Sequence, residues 1–383
     1  MSVLIAPKTT VFEATSAACR ASGAINLGQG FPDGCGPLAV REAAARAVID
    51  GPHHYPPMAG LPELRVAVAD HYARHLGLAI EPMDGVTVTS GATEALACAI
   101  FALVEPGDAV VIIEPAYDAY APLVRRAGGV VRAIEVRPPD WRIDRQELAR
   151  AAEGARLLIV NDPVNPCGTR LHADDRAALA DAVLANDAWL LCDEVWEWVL
   201  DPGVAHASML ADARLAARTV KVGSAGKIFA LTGWKVGWLC AAPALGARLR
   251  AVHQFLTFTT PPSLQMAVAR GLADDAGWLA AMRAEIAGRR ARLAAGLREA
   301  GYAVLPSDAT WFLNVDLAAS GVAMDDAAFN ARLIADHGVA GIPVSAFYEN
   351  DGPRHILRLC HAKAAATLDA AVARLGAALR AVT

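Results

Sequence analysis

Short runs of Val, Ile and Leu alternate through the first two thirds of the chain with longer stretches in which Ala, Leu and Arg recur at helical spacing. The runs at 86–89, 109–113, 130–136, 157–161, 189–192, 219–222 and 236–240 predict strands, the last two as neighbours. Helices are expected from Glu94, over 118–127 and over 174–185. Strands alternating with helices predict an α/β fold with a mostly parallel sheet flanked by helices on both faces. Ligands of such sheets bind beyond the carboxyl ends of the strands.

From about Ala267 the period becomes helical, with a long helix over 278–299. Strand-like segments follow at 302–305, 312–315 and 356–359, then an amphipathic helix over 365–382. This tail predicts a smaller α+β domain. The expected division is an N-terminal arm over 1–30 contributing to the small domain and the site wall, a large domain over 31–265 and a small domain over 266–383.

The length of 383 residues exceeds one ordinary core, and the 55% apolar fraction supports a large buried interior. No tract resembles a membrane span. The apolar run Val3-Leu4-Ile5-Ala6 is too short for a signal peptide and has no basic region before it, so a cytoplasmic protein is expected. A net charge of −5 argues against a nucleic-acid partner. Arg289, Arg290 and Arg292 sit in a helical pattern with Glu285 and Glu299, as on a solvated helix face. The cysteines at 19, 35, 98, 167, 192, 240 and 360 form no C-x-x-C pair and are odd in number, which points to reduced thiols and no zinc site.

The richest chemistry lies in Ser224-Ala225-Gly226-Lys227, which runs on to Gly233-Trp234-Lys235. A lysine in a small-residue turn becomes nucleophilic when enclosure lowers its pKa. With a second cation eight residues on, the run suits an aldehyde cofactor that carries a phosphate. Four other segments suit the remaining parts of a pyridoxal phosphate site, and a fifth, at Arg358, suits its substrate. Ser90-Gly91-Ala92-Thr93 stands where a strand turns into a helix, whose amides attract phosphate, although a plain N-cap turn looks the same. Tyr117, after the next strand, can stack on a flat ring or serve as a core aromatic. Asn165 in Asn165-Pro166-Cys167-Gly168 is held extended by the proline and offers an amide to a phenolic oxygen. Asp193 ends a buried strand and needs a partner, either a protonated ring nitrogen or a structural cation. Arg358 sits inside an apolar strand, where its fork matches a substrate carboxylate or an internal acid.

Together these segments resemble the class I (fold type I) pyridoxal phosphate-dependent aminotransferases, within them the branch of kynurenine aminotransferases (glutamine transaminase K) and bacterial methionine aminotransferases. The resemblance spans nearly the whole chain. It is carried by Asn26-Leu27-Gly28-Gln29-Gly30-Phe31-Pro32-Asp33, by Tyr55-Pro56-Pro57-Met58-Ala59-Gly60 and by the Lys227 run as far as Trp238. It implies that Lys227 is the Schiff-base lysine and proton shuttle. Ser224 and Lys235 would hold the phosphate with the amides of Gly91, Ala92 and Thr93. Tyr117 would stack on the ring, Asn165 would reach its hydroxyl oxygen and Asp193 would pair with its nitrogen. Arg358 and Asn165 would grip the substrate carboxylate, with Gly30 lining that pocket. Tyr55 would reach the phosphate of a neighbouring subunit, which implies a homodimer with shared active sites.

Trp196 departs from the family, which usually has tyrosine there; an indole N–H donates but neither accepts nor ionises. Cys167 and His361 stand where threonine and an aromatic are common. The implied activity is ping-pong transfer of the α-amino group of a methionine, glutamine, kynurenine or aromatic donor to a 2-oxo acid. Phe31, His253, Phe258 and Trp311 are candidate pocket walls. A cysteine-S-conjugate or cystathionine β-lyase and a succinyldiaminopimelate aminotransferase are alternatives on the same fold. A regulator built on this fold needs a DNA-binding module ahead of it, and here the pattern begins within the first 30 residues. His71 and His75, at i and i+4, have no third ligand in view and read as a solvated helix face. Gly28-Gln29-Gly30 begins like a dinucleotide loop but has no third glycine in register.

Overall fold

The computed structural model describes residues 9–350 and 352–383, apart from the side chain of Ala276. The apolar run at 3–6 lies outside the described residues. A seven-stranded sheet forms the centre. Its strands are β1 (Val86–Ser90), β2 (Ala109–Glu114), β3 (Val130–Glu135), β4 (Leu157–Asn161), β5 (Trp189–Asp193), β6 (Thr219–Ser224) and β7 (Val236–Cys240). The order is β1-β7-β6-β5-β4-β2-β3, with only β7 running antiparallel to its neighbours. The carboxyl ends Ser90, Glu114, Asn161, Asp193 and Ser224 therefore share one edge.

The inner strands β2, β4 and β5 are apolar at consecutive positions because both their faces are covered. Val110 and Ile112 of β2, with Leu157 and Ile159 of β4, enter one core. Their neighbours Val111, Leu158 and Val160 enter another on the opposite face. The helix Gly91–Leu103 begins three residues before Glu94, where the pattern expects it. Glu94 reaches back to accept the Ser90 N–H at 2.8 Å, and the small residues of the first turn carry no apolar period.

A second sheet is wholly antiparallel. It holds β8 (Ala303–Val304), β9 (Phe312–Asp316), β10 (Ile342–Pro343) and β11 (Ile356–Cys360), in the order β10-β11-β9-β8. Ile25–Asn26 pairs in parallel with Val339–Ala340, so the N-terminal segment is tied to the C-terminal region. Leu27 joins Leu293, Leu313, Leu357 and Leu375 in a third core. The helix Pro262–Ala273 packs on Leu38–Asp50 and Pro62–Leu76, and the expected boundary at 265/266 falls inside it. The cysteines are free thiols, buried except for Cys35. Among the described residues no helix is long and apolar enough to cross a membrane.

Candidate active site

A cavity of about 180 Å³ opens at the carboxyl edge of the large sheet. The ends of β4, β5 and β6 bring Asn161, Asp193 and Ser224 to its wall. Gly91, Ala92 and Thr93 bring the N-terminus of the helix after β1. Gly91 has φ +71, a left-handed conformation that favours glycine, and a Cβ there would crowd Lys235 Nζ at 3.2 Å. Lys235 itself has φ 54 and caps the turn Thr232–Trp234, a sparsely populated conformation for a residue with a side chain. Ser224 ends β6 and precedes the single helical turn Ala225–Ile228, which carries Lys227.

Lys227 lines the cavity with its amine 4.3 Å from the ring centroid of Trp196 and 4.9 Å from that of Trp311. Among the described residues its Nζ has no hydrogen-bond or ion-pair partner. Enclosure pushes the amine down to about 8, against the pull of the Asp193 carboxylate. Asp193 is buried at the end of β5. It accepts from Tyr120 Oη at 2.6 Å on Oδ2 and from the Val195 N–H at 3.4 Å on Oδ1. Burial raises its carboxyl, and Tyr120 works in the other direction. It has no cationic partner within ion-pair distance among the described residues. Asn161 ties the edge together, donating from Nδ2 to the Asp193 carbonyl at 2.7 Å and accepting the Asn165 N–H on Oδ1 at 2.7 Å.

A second chamber of about 330 Å³ adjoins the first and shares Tyr117, Asn165, Trp196 and Lys227 with it. Its further walls are Thr10, Phe12, Gly30, Asp118, Phe312 and Arg358. A Cβ on Gly30 would lie 2.5 Å from Phe312 Cζ, so a side chain there would displace the ring. Arg358, fully buried on β11, donates from Nη1 to Asn165 Oδ1 at 2.7 Å and from Nη2 to the Gly28 carbonyl at 2.6 Å. Its guanidinium lies 3.9 Å from the Phe312 ring centroid. Nε has no partner, and among the described residues no carboxylate pairs with it. Burial pushes the group down to about 9. The internal salt bridge that a buried arginine suggests is therefore absent among the described residues, and the guanidinium is left with unspent donors.

Of the residues singled out from sequence, Gly91, Ala92, Thr93, Tyr117, Asn165, Asp193, Trp196, Ser224, Lys227 and Lys235 line the first chamber. Gly30 and Arg358 line the second. Tyr55 lines neither; it is 84% exposed and packs edge-on against Phe258 at 5.6 Å. Of the candidate walls, Trp311 lies beside Lys227, whereas His253 is turned to Glu94 and the Met58 carbonyl. Phe31 and Phe258 are nearly half exposed, and Phe31 covers Lys363. Sequence reasoning does not single out Tyr120, Asn161, Asp118 or Phe312. Tyr120 lies three residues after Tyr117 across a turn closed by its N–H on the Tyr117 carbonyl, and the two rings are 5.7 Å apart.

The reading of His71 and His75 as a solvated face is corrected. His71 is fully buried and its Nδ1 meets Asp275 Oδ2, while His75 Nε2 lies 2.9 Å from Asp275 Oδ1. The carboxylate arrives from a residue 204 positions away, beyond the reach of any local pattern.

A doubly covered mixed sheet, with a lysine amine, a buried acid and a helix N-terminus converging at its carboxyl edge, defines a fold type I pyridoxal phosphate-dependent enzyme. The chain belongs to the family "aminotransferase class I and II", whose model matches residues 22–375, and it is an aminotransferase. It is 41% identical to the methionine aminotransferase of Escherichia coli (strain K12), over 96% of this chain and 95% of that protein. It is also 41% identical to a probable N-succinyldiaminopimelate aminotransferase of Mycobacterium tuberculosis, with the same coverage. The solved N-succinyldiaminopimelate aminotransferase of Mycobacterium tuberculosis matches at TM-score 0.95 and 40% identity, over 99% of both chains. Kynurenine–oxoglutarate transaminase 3 of Rattus norvegicus is 32% identical, over 91% of this chain and 83% of that one.

Proposed function

We propose that the chain moves the α-amino group of an apolar or aromatic L-amino acid of the methionine type to a 2-oxo acid, in two half-reactions at Lys227. The observation that carries this reading is the common wall of the two chambers. Lys227 faces both, and the second ends on a buried arginine without a carboxylate partner.

The residues present fit pyridoxal phosphate. The amides of Gly91, Ala92 and Thr93, with Ser224 and Lys235, would hold its phosphate at a helix N-terminus whose glycine leaves the approach open. Asp193, buried without a cation, would pair with the ring nitrogen, and Tyr117 would stack on the ring. Asn165 spends Oδ1 on Arg358, which leaves Nδ2 to donate to the ring oxygen, and the Trp196 indole would border it. The bound group supplies the electron sink that makes the Cα–H bond of an amino acid acidic.

The chain's own residues do the rest. Lys227 Nζ takes the α-proton and returns it, as base and then acid. Arg358 and Asn165 hold the α-carboxylate, and Gly30 keeps that pocket open. Trp196, Trp311 and Phe312 exclude water from the amine. The walls Phe12 and Phe312 favour an apolar donor side chain. No arginine besides Arg358 lines the chamber among the described residues, and Asp118 would repel a distal carboxylate. This favours a methionine-type donor over a succinyldiaminopimelate-type one. Tyr55, exposed on its own chain, is proposed to complete the phosphate site of a second subunit in a homodimer, in the cytoplasm.

The test is the absorption spectrum of the purified holoenzyme with methionine and no oxo acid. Loss of the visible band with growth of a near-ultraviolet band, and release of one 2-oxo acid per site, is expected. Continued release of pyruvate and ammonia from a cysteine conjugate would instead indicate β-lyase chemistry. A band that responds only to succinyldiaminopimelate would overturn the donor class.

A further inference from the structure

Behind the cavity lies a second buried charged cluster that none of the roles above uses. Glu194 and Glu197, each 1% exposed, bracket Val195 and Trp196 in the turn that follows β5. Between them stands Lys221, fully buried on β6 beside Cys192 of β5. Its Nζ donates to Glu194 Oε2 and to Glu197 Oε2, both at 2.5 Å. The other carboxylate oxygens are also occupied. Glu194 Oε1 accepts from Ser208 Oγ at 3.0 Å and from the Met209 N–H at 3.1 Å, and His206 Nε2 meets Oε2 at 2.8 Å. Glu197 Oε1 accepts from Tyr72 Oη at 2.7 Å, and Tyr72 in turn accepts from Trp238 Nε1 at 2.9 Å.

Two carboxylates cannot be buried this close without a cation, and taking these charges out of water consumes most of what their attraction returns. Apolar packing would stabilise the fold as well. What it would not supply is direction: one ammonium bonded to both ends of a four-residue turn leaves that turn a single arrangement. The turn directly follows Asp193 and carries Trp196, whose ring lies 4.3 Å from Lys227 Nζ and packs edge-on against Trp311 and Phe312. Neither Lys221 nor either glutamate lines the cavity, so any influence on it passes through the turn.

We propose that Lys221 is a positioning residue, which clamps Glu194 and Glu197 and so sets the place of the Trp196 ring beside the reactive amine. The inference rests on the assignment of Lys227 made above.

The variants are Lys221→Met and Glu197→Gln. The second keeps Lys221 paired with Glu194 and keeps an oxygen for Tyr72, so it preserves the fold if the first does not. The first readout is the pH dependence of Lys227 acylation in the cofactor-free protein, followed by peptide mass spectrometry. A loosened turn admits water to the amine, and the midpoint should rise by about one pH unit, the scale of partial resolvation of a buried lysine. The second readout is the steady state of the holoenzyme. A misplaced ring should lower kcat by roughly 10-fold, within the range that small misplacements cost. KM for the amino acid should stay within about twofold, because Arg358 is untouched. A folded variant of either kind with an unchanged labelling midpoint and unchanged kcat overturns the proposal, as does a lowered melting temperature unaccompanied by either change. The labelling readout does not depend on catalysis, so it stands apart from the test of Lys227 itself, in which turnover retained by Lys227→Ala would remove that assignment.

Discussion

Arg358 Nη1 donates to Asn165 Oδ1 at 2.7 Å across a separation of 193 residues. The bond joins β11 of the small sheet to the loop after β4 of the large one. The chamber that ends on the guanidinium therefore exists only when the two sheets are docked. The arginine is held flat by Phe312 and by the Gly28 carbonyl, with Nε unspent.

From this geometry Arg358→Gln should raise KM for the amino acid about 10- to 100-fold, the scale of lost charge-assisted hydrogen bonds, with a smaller change in kcat. An amine that lacks the α-carboxylate should be turned over equally by variant and wild type. Unchanged KM for the amino acid would remove Arg358 from carboxylate binding.

Lys227 should behave as an amine with a pKa of about 8, since enclosure disfavours its charged form. Only the free amine reacts, so acylation of Lys227 in the cofactor-free protein should rise with pH through about 8 and level off above it. A midpoint near ~10.4, the value of an exposed lysine, would show that the side chain is solvated. Lys227→Ala should lower transamination on the order of 10⁴-fold, the upper end of what a positioned base contributes.

Tyr120→Phe should move the acid limb of the kcat/KM–pH profile to higher pH. The Tyr120 hydroxyl helps to hold the buried Asp193 carboxyl down against burial. Without it the carboxylate takes up a proton at higher pH as the solution is acidified. The ionised form that would pair with the cofactor ring is then lost earlier. An acid limb that stays in place would mean that Tyr120 only packs.

Trp196→Phe should shift the pH titration of the visible cofactor band. The indole face lies beside the amine, and a contact of roughly 0.5–1 kcal/mol is worth about half a pH unit. An unchanged titration would show that the indole does not tune the site.

Much of the molecule was legible in the chain because its determinants are local. The apolar runs at 109–113, 157–161 and 189–192 announced strands of a sheet covered on both faces, and the polar residues Glu114, Asn161 and Asp193 at their ends lie on the edge where the site forms. Ser90 to Thr93 read as a strand-to-helix turn, and Ser224 to Lys227 as a turn of small residues. The helix Leu38–Asp50 was not read from the chain, and Pro62–Leu76 only around His71 and His75, since their buried stripes interleave with exposed apolar residues such as Val48, Ile49 and Val66.

Which side chains meet was another matter. Tyr120 finds Asp193 across 73 residues, His71 finds Asp275 across 204, and Arg358 finds the Gly28 carbonyl across 330. The apolar period sets strands and helices because side-chain direction repeats every two or 3.6 residues. Partners this distant depend on strand order, on crossover and on how the two sheets dock, and no local repeat carries those. The sequence by itself determined the class of site and the residue types that build it. Only the tertiary structure decided that Arg358 has no acid to neutralise it among the described residues, and that Lys221 lies between two glutamates behind Trp196.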